Sequence, residues 1–273
     1  MQTIPRTGIT HNLMSLLPRT AAYEQSRRKA TEVLSFLRVP LYSTVPILAQ
    51  VMGLQHRPTV YTTLVRLENA GLIRRATIPY GVTSITLWGI TSAGQSYIAP
   101  SDQEPNPLTF NASKVSISRL EHHLAIQQTH VHLQHQGWTN FRYCDHDAKA
   151  KLTKAESKYN IRPDLTSIDT QSRAVAIECE LSLKSPARYK DNIIPGHIRH
   201  LNADEYDYVL WITKTPEDQQ TLHHSLTARI QELQQEQRLH LLHTFTDYKM
   251  FQFANLQTWL GPELVTASNG GPR

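Results

Sequence analysis

The chain is poor in cysteine: there are two in 273 residues, Cys144 and Cys179, and they show no CxxC spacing. That excludes a disulfide framework and a Cys-rich structural zinc site, and it leaves both thiols as small core residues. Long apolar runs are missing as well. The longest, Tyr208-Val-Leu-Trp-Ile212, falls far short of the ~20 residues needed to cross a bilayer. The first residues, MQTIPRTGITHN, lack the basic-then-apolar layout of a signal peptide. No internal repeat or long low-complexity tract occurs. A soluble, cytoplasmic protein without membrane insertion is expected. With 40% apolar residues the chain can bury real cores, so fibrous and wholly disordered readings are excluded.

The net charge of +5 becomes informative once divided. Residues 1–99 hold ten Lys or Arg and three Asp or Glu, a net of 10 − 3 = +7, so the remainder carries 18 − 20 = −2. A basic first third suggests that this part meets a polyanion while the rest does something else. Pro100-Ser-Asp-Gln-Glu-Pro-Asn-Pro107 is polar, proline-rich and without apolar periodicity, and predicts a linker over 99–113. Residues 262–273 predict a frayed tail.

Residues 27–98 parse as three helices, a hairpin and a helix. Val33, Leu34, Leu37 and Leu41 keep helical spacing; a short helix follows from Ser43, its expected N-cap, to about Val51. A third helix starts near Arg57-Pro58-Thr59, runs through Val60, Leu64 and Leu67, and stops at Gly71. Leu72–Ile78 and Val82–Trp88 read as strands about a Pro79-Tyr80-Gly81 turn. The stretch TVYTTLVRLENAGLIRR (59–75) resembles the recognition helix and wing entry of winged-helix DNA-binding domains. The resemblance implies that Arg57, Thr59, Tyr61, Thr62 and Arg66 face duplex DNA, with Arg74, Arg75 and Tyr80 on the wing.

Residues 114–250 have another rhythm. A helix over 116–136 is followed by strand candidates at 138–143, 161–168 and 174–181, a helical region over 186–202, a strand over 206–213, a helix over 216–236 and a last strand over 239–244. Such an order predicts an α/β sandwich.

Chemistry concentrates in Arg162-Pro-Asp164 and Ala174-Val-Ala-Ile-Glu-Cys-Glu-Leu-Ser-Leu-Lys184. Alternation along a strand puts Glu178, Glu180, Ser182 and Lys184 on one face, and Asp164 on a preceding strand can add a third carboxylate. Three acids around one point repel unless a hard cation neutralises them, which points to Mg²⁺ or Mn²⁺. Such an ion activates water and stabilises charge on a phosphodiester, and a nearby lysine can add to the effect. The histidines His130 and His132 lie two apart on a predicted helix, where they point in different directions and cannot chelate one ion.

This pattern resembles the PD-(D/E)xK nuclease superfamily, the fold of restriction endonucleases, with Pro163-Asp164 as first motif and Glu178-Cys-Glu180 as second. The usual lysine position holds Glu180, and Lys184 is the nearest base. Glu121 matches the place of a further acid in the preceding helix. Taken with His123-Leu-Ala-Ile126, Arg162-Pro-Asp-Leu165 and the run Glu178–Tyr189, the chain looks like the replication-relaxation proteins and the MobC-type relaxases of mobilisable plasmids. That resemblance implies an N-terminal winged helix-turn-helix and a C-terminal restriction-endonuclease-like α/β sandwich. It further implies metal-dependent nicking of double-stranded DNA at a plasmid transfer origin, possible relaxosome accessory or coupling partners, and a catalytic set of Asp164, Glu178, Glu180 and Lys184. Asp164, Glu178, Glu180 and Glu121 would hold the metal, and Arg188 and Lys190, flanking Tyr189, would meet phosphates. The alternative is a non-catalytic DNA-binding regulator or relaxosome accessory protein with a degenerate nuclease fold.

Overall fold

A computed structural model of the chain describes residues 19–99, 106–144, 161–236 and 251–260. The N-terminal part folds as α1 (Arg19–Leu37), β1 (Tyr42–Ser43), α2 (Val45–Val51), α3 (Arg57–Asn69), β2 (Ile73–Tyr80), β3 (Thr83–Ile90) and α4 (Ser92–Ile98). Proline stands in the first turn of α2 and of α3, where its missing N–H is no loss. Val33, Leu34, Leu37, Ile47, Leu48, Val60, Leu64 and Leu67 turn inward onto Ile73, Leu87 and Ile90. The three strands form an antiparallel sheet in the order β1-β3-β2.

Two local expectations shift. Ser43, expected to cap α2, is drawn into β1 opposite Trp88 and fully buried. Thr44 occupies the N-cap position instead and makes no side-chain capping bond. The hairpin turn moves one residue along: Tyr80 pairs with Thr83, leaving Gly81 at φ 61° and Val82 as a two-residue loop, the connection whose twist suits a hairpin. Pro79 thereby lies in β2, an edge strand that tolerates a missing donor.

The described end of the expected linker, 106–113, is not a free tether. Phe110 is buried in the N-terminal core and its N–H donates to Ile90 O at 3.0 Å. Asn106 Nδ2 donates to Arg38 O, and Gln95 Nε2 donates to both Arg38 O and Leu108 O. Gly89 makes room for this strap, since a Cβ there would overlap the Phe110 side chain. Apolar contact, invisible in a Pro-rich composition, decides the placement.

Next comes α5 (Ile117–His135), which carries two apolar stripes on opposite sides. Leu120, Leu124 and Val131 join the N-terminal core, and Gln127 Nε2 donates to Tyr42 O between them. Ala125, Ile126 and Leu133 cover a second sheet. That sheet contains β4 (Thr139–Tyr143), β5 (Leu165–Ile168), β6 (Ala174–Glu180), β7 (Tyr208–Thr213) and β8 (Phe251–Asn255), side by side in that order. The pairs β4/β5 and β5/β6 are antiparallel, whereas β6/β7 and β7/β8 are parallel. All six residues of β7 are buried, as a central strand covered on both faces requires.

The opposite face is covered by α6, over 186–202, and α7 (Pro216–Gln235). Within α6 a helical turn Pro186–Arg188 passes through a π-helical stretch Tyr189–Ile193 into Ile194–Asn202. The expected last strand at 239–244 and the expected tail at 262–273 lie outside the described residues. β8 and α8 (Leu256–Leu260) carry the second unit beyond its expected boundary at 250, because β8 pairs with β7 and Leu256 packs under the sheet. The result is a mixed α/β protein with two sheets joined by one shared helix.

Replacing Gly89 with Ala should push Phe110 out of its seat and destabilise the fold by about 1–3 kcal/mol. Denaturant melts of Gly89→Ala against wild type read this directly. Equal midpoints would show that the strap is dispensable.

Candidate functional site

The ends of β5 and β6 bring the sequence-predicted acids into one neighbourhood but turn them to different partners. Asp164 Oδ2 accepts from the Cys179 N–H at 2.7 Å and lies 3.2 Å from His122 Nε2 on α5. The same His122 nitrogen is 3.0 Å from Cys179 O. Glu178, on the other face of β6, lies 3.0 Å from His197 Nε2 on α6, off the line of a straight hydrogen bond. Glu180 is almost fully buried and forms an ion pair with Lys184.

Lys184 does not reach Glu180 along an extended strand, as alternation implied. β6 ends at Glu180, and the chain turns back so that Lys184 Nζ meets the carboxylate while its N–H donates to Tyr189 Oη at 3.1 Å. Burial, followed by the Glu180 and Glu178 carboxylates, raises the Tyr189 phenol, which stays protonated as a donor to Glu180. Glu121, expected as a fourth ligand, pairs instead with Lys214 Nζ at 2.8 Å.

On the basic unit, α3 presents Tyr61, Thr62, Val65, Arg66 and Asn69 along one exposed, shallow face. Thr62 Oγ1 donates back to Pro58 O, and Arg66 is held by α1 through Ser26. Thr59 is half-buried, and Arg57 opens the helix. Arg75 does not point freely along the hairpin: it pairs with Glu68 and lies over the Trp88 ring. Arg74 lies over Phe110 instead. Tyr80 packs against the core, near enough to Glu121 and Lys214 to sense both charges. Arg188 is exposed, whereas Lys190 is turned to Glu232 and Glu236 on α7.

Comparison with protein-family models matches residues 34–193 to replication-relaxation, a span that holds α3, the hairpin, α5, Glu121, Asp164, Glu178 and Glu180. The chain belongs to the replication-relaxation family. No curated protein and no solved structure matches it. Family membership points to a role in plasmid replication or DNA relaxation. Among the described residues, no helix is long and apolar enough to cross a membrane.

In this replication-relaxation protein the residues expected to hold Mg²⁺ or Mn²⁺, Asp164, Glu178, Glu180 and Glu121, face different partners. Among the described residues, no three His, Cys, Asp or Glu side chains are grouped to hold an ion. The physical reason is the strand's own alternation. Cys179 belongs to the α5 side with Ile177, and Asp164 contacts its N–H and His122 there, while Glu178 and Glu180 turn to α6. Asp164, Glu180 and Glu121 each already have a proton donor or cation of their own.

Sequence reasoning missed His122, His197, Tyr189 as a Glu180 partner and Lys214. His122 was findable, since it shares the helical stripe of Ile126, Thr129 and Leu133 that faces β6. His197 carries no sequence signal: it is a buried histidine on an amphipathic helix, bonded at Nδ1 to Tyr206 Oη at 2.7 Å. The two residues of the His130-Val-His132 motif do part company, as helical geometry requires. His130 is wedged against Phe36 and Phe141, whereas His132 stacks on Trp259.

Burial lowers His197 to about 3 and His130 to about 4 from an ordinary 6.5. Both are therefore neutral in the folded protein near pH 7. The unfolded chain takes up these protons first on acidification, so stability is full above pH ~6.5 and falls as pH drops toward the folded values. One such proton costs about 1.4 kcal/mol per pH unit in that window. Denaturant melts across it should show a slope shallower by about that amount in His197→Gln than in wild type. Parallel slopes would mean that the imidazole is charged in the fold.

Proposed function

We propose that the protein binds duplex DNA through the exposed face of α3 and the adjoining β2–β3 hairpin, and that it serves plasmid replication or relaxation by doing so. The observation that carries this reading is the separation of faces on α3. Val60, Leu64 and Leu67 are spent on the core, while Tyr61, Thr62, Val65, Arg66 and Asn69 stay outward on the unit with the +7 balance. A three-helix unit with an antiparallel hairpin beside the outward helix is the arrangement in which a winged helix places its third helix in the major groove. Arg66 and Arg75, held by Ser26 and Glu68, act as fixed positive charges near the backbone, which position the protein without reading sequence.

Binding to duplex from the replicon that encodes the protein should weaken steeply with salt. The Tyr61→Ala/Thr62→Ala variant should lose about tenfold or more in affinity, since a good base-edge contact contributes about 1–3 kcal/mol. Both side chains are exposed, so the fold survives the change. Unaltered anisotropy titrations of the variant would remove α3 from the interface.

A second reading, nicking of one strand at a transfer origin in the manner of the MobC-type relaxases, is favoured by one observation. Asp164, Glu178, Glu180 and Lys184 are all brought to the adjoining ends of β5 and β6. In that reading the second unit is a restriction-endonuclease-like domain, and the acids would hold Mg²⁺ or Mn²⁺ after giving up the partners described above. Supercoiled DNA of the replicon should then become nicked when either metal is titrated in, and Asp164→Asn and Glu180→Gln should abolish nicking. Intact supercoils with wild-type protein across the titration would leave duplex binding as the function.

A further inference from the structure

A cleft of about 600 Å³ separates the basic unit from the start of α5. Its lining comes from three places: Pro40, Tyr42 and Arg74 of the basic unit, the strap about Phe110 and Lys114, and Arg119 and His122 of α5. Its size suits a bound ligand of moderate dimensions, within the usual ~300–1,000 Å³. Its charge is one-sided. Arg74, Lys114 and Arg119 line it, and no Asp or Glu does.

None of these three cations has an ion-pair partner among the described residues. Several cations elsewhere are matched, Arg75 with Glu68, Lys184 with Glu180, Lys190 with Glu232 and Lys214 with Glu121, whereas these three converge on one cleft. Apolar side chains, Leu108 and Val115 among them, complete the lining.

We infer that this cleft binds the sugar-phosphate backbone of an unpaired DNA strand. A concave cleft of this volume is too small to seat a duplex, and converging cations with no carboxylate among them suit the phosphates of a single strand. The cleft also leads inward. His122 lines it, and the same imidazole lies 3.2 Å from Asp164 Oδ2, so a strand held there runs toward the acid edge. The inference rests on the reading that the protein handles DNA, but it assigns a surface distinct from α3.

The test uses the full-length protein and a labelled oligothymidylate of about 16 nucleotides, the upper site size of a single-strand-binding fold. Lys114 and Arg119 are exposed, so Lys114→Ala/Arg119→Ala leaves the cores intact. The double variant should bind the oligonucleotide at least about tenfold more weakly, with the salt slope reduced by about 1.4, two phosphate contacts at ~0.7 each. Its duplex binding should stay within about twofold of wild type, and Tyr61→Ala/Thr62→Ala should show the reverse pattern. Wild-type protein that binds duplex but not the oligonucleotide overturns the cleft assignment. So does a double variant that binds the oligonucleotide like wild type, or one that loses duplex and single strand equally. Displacement of the oligonucleotide by an equal concentration of thymidine triphosphate also overturns it, in favour of a free-nucleotide site. Wild-type protein that binds the oligonucleotide but no duplex would sink the α3 reading and leave this one standing.

Discussion

The two-sided packing of α5 is the constraint on which the rest of the molecule depends. Leu120, Leu124 and Val131 lie in the core of the three-helix unit, and Ala125, Ile126 and Leu133 lie under the five-stranded sheet. The two sets are offset by about half a helical turn, so one rod of backbone is buried on both flanks. Polar side chains on the same helix fix its register rather than its depth. Gln127 bonds Tyr42 O on one side, and His122 and Thr129 reach Cys179 on the other. Because interiors pack like solids, a helix buried on both flanks has little room to shift.

That arrangement explains the electrostatic layout. The unit with the positive balance and the sheet with the acids sit on opposite sides of α5, and the cleft opens where its first turn meets both. Around the sheet ends, these carboxylates are matched: Asp164 to a backbone N–H and His122, Glu180 to Lys184 and Tyr189, Glu121 to Lys214. A buried carboxylate needs such a partner, because leaving it unpaired costs several kcal/mol. The cations of the cleft are exposed, and water keeps them cheap until a phosphate arrives.

Much of the fold was legible because it follows from short-range rules. The period of Val60, Leu64 and Leu67, the proline in the first turn and the stop at Gly71 mark α3 to within two residues. The continuous apolar run Tyr208–Ile212 marks a central strand, and β7 is one. Asp164, Glu178 and Glu180 were found by residue type and spacing, which is why they share a neighbourhood in space. What they face was not legible. Lys184 meets Glu180 through a turn, and Lys190 is taken up by α7, an element 26 or more residues along the chain at Pro216. The strap at Phe110 was hidden by composition, since one aromatic residue settles the fate of a polar, proline-rich stretch.

The sequence by itself determined the division into a basic unit and an acid-bearing α/β unit, the positions of most helices and strands, and the family to which the chain belongs. These depend on local periodicity, turn chemistry and residue type, which are written in neighbouring letters. Only the tertiary structure decided that His122 and His197 are the partners of Asp164 and Glu178, that the acids divide between two faces of β6, and that Arg74, Lys114 and Arg119 line one cleft. The pairings join residues 19 positions apart, Glu178 and His197, to 57 apart, His122 and Cys179. Their distances are set by how α5 packs between two sheets, and no local pattern encodes that.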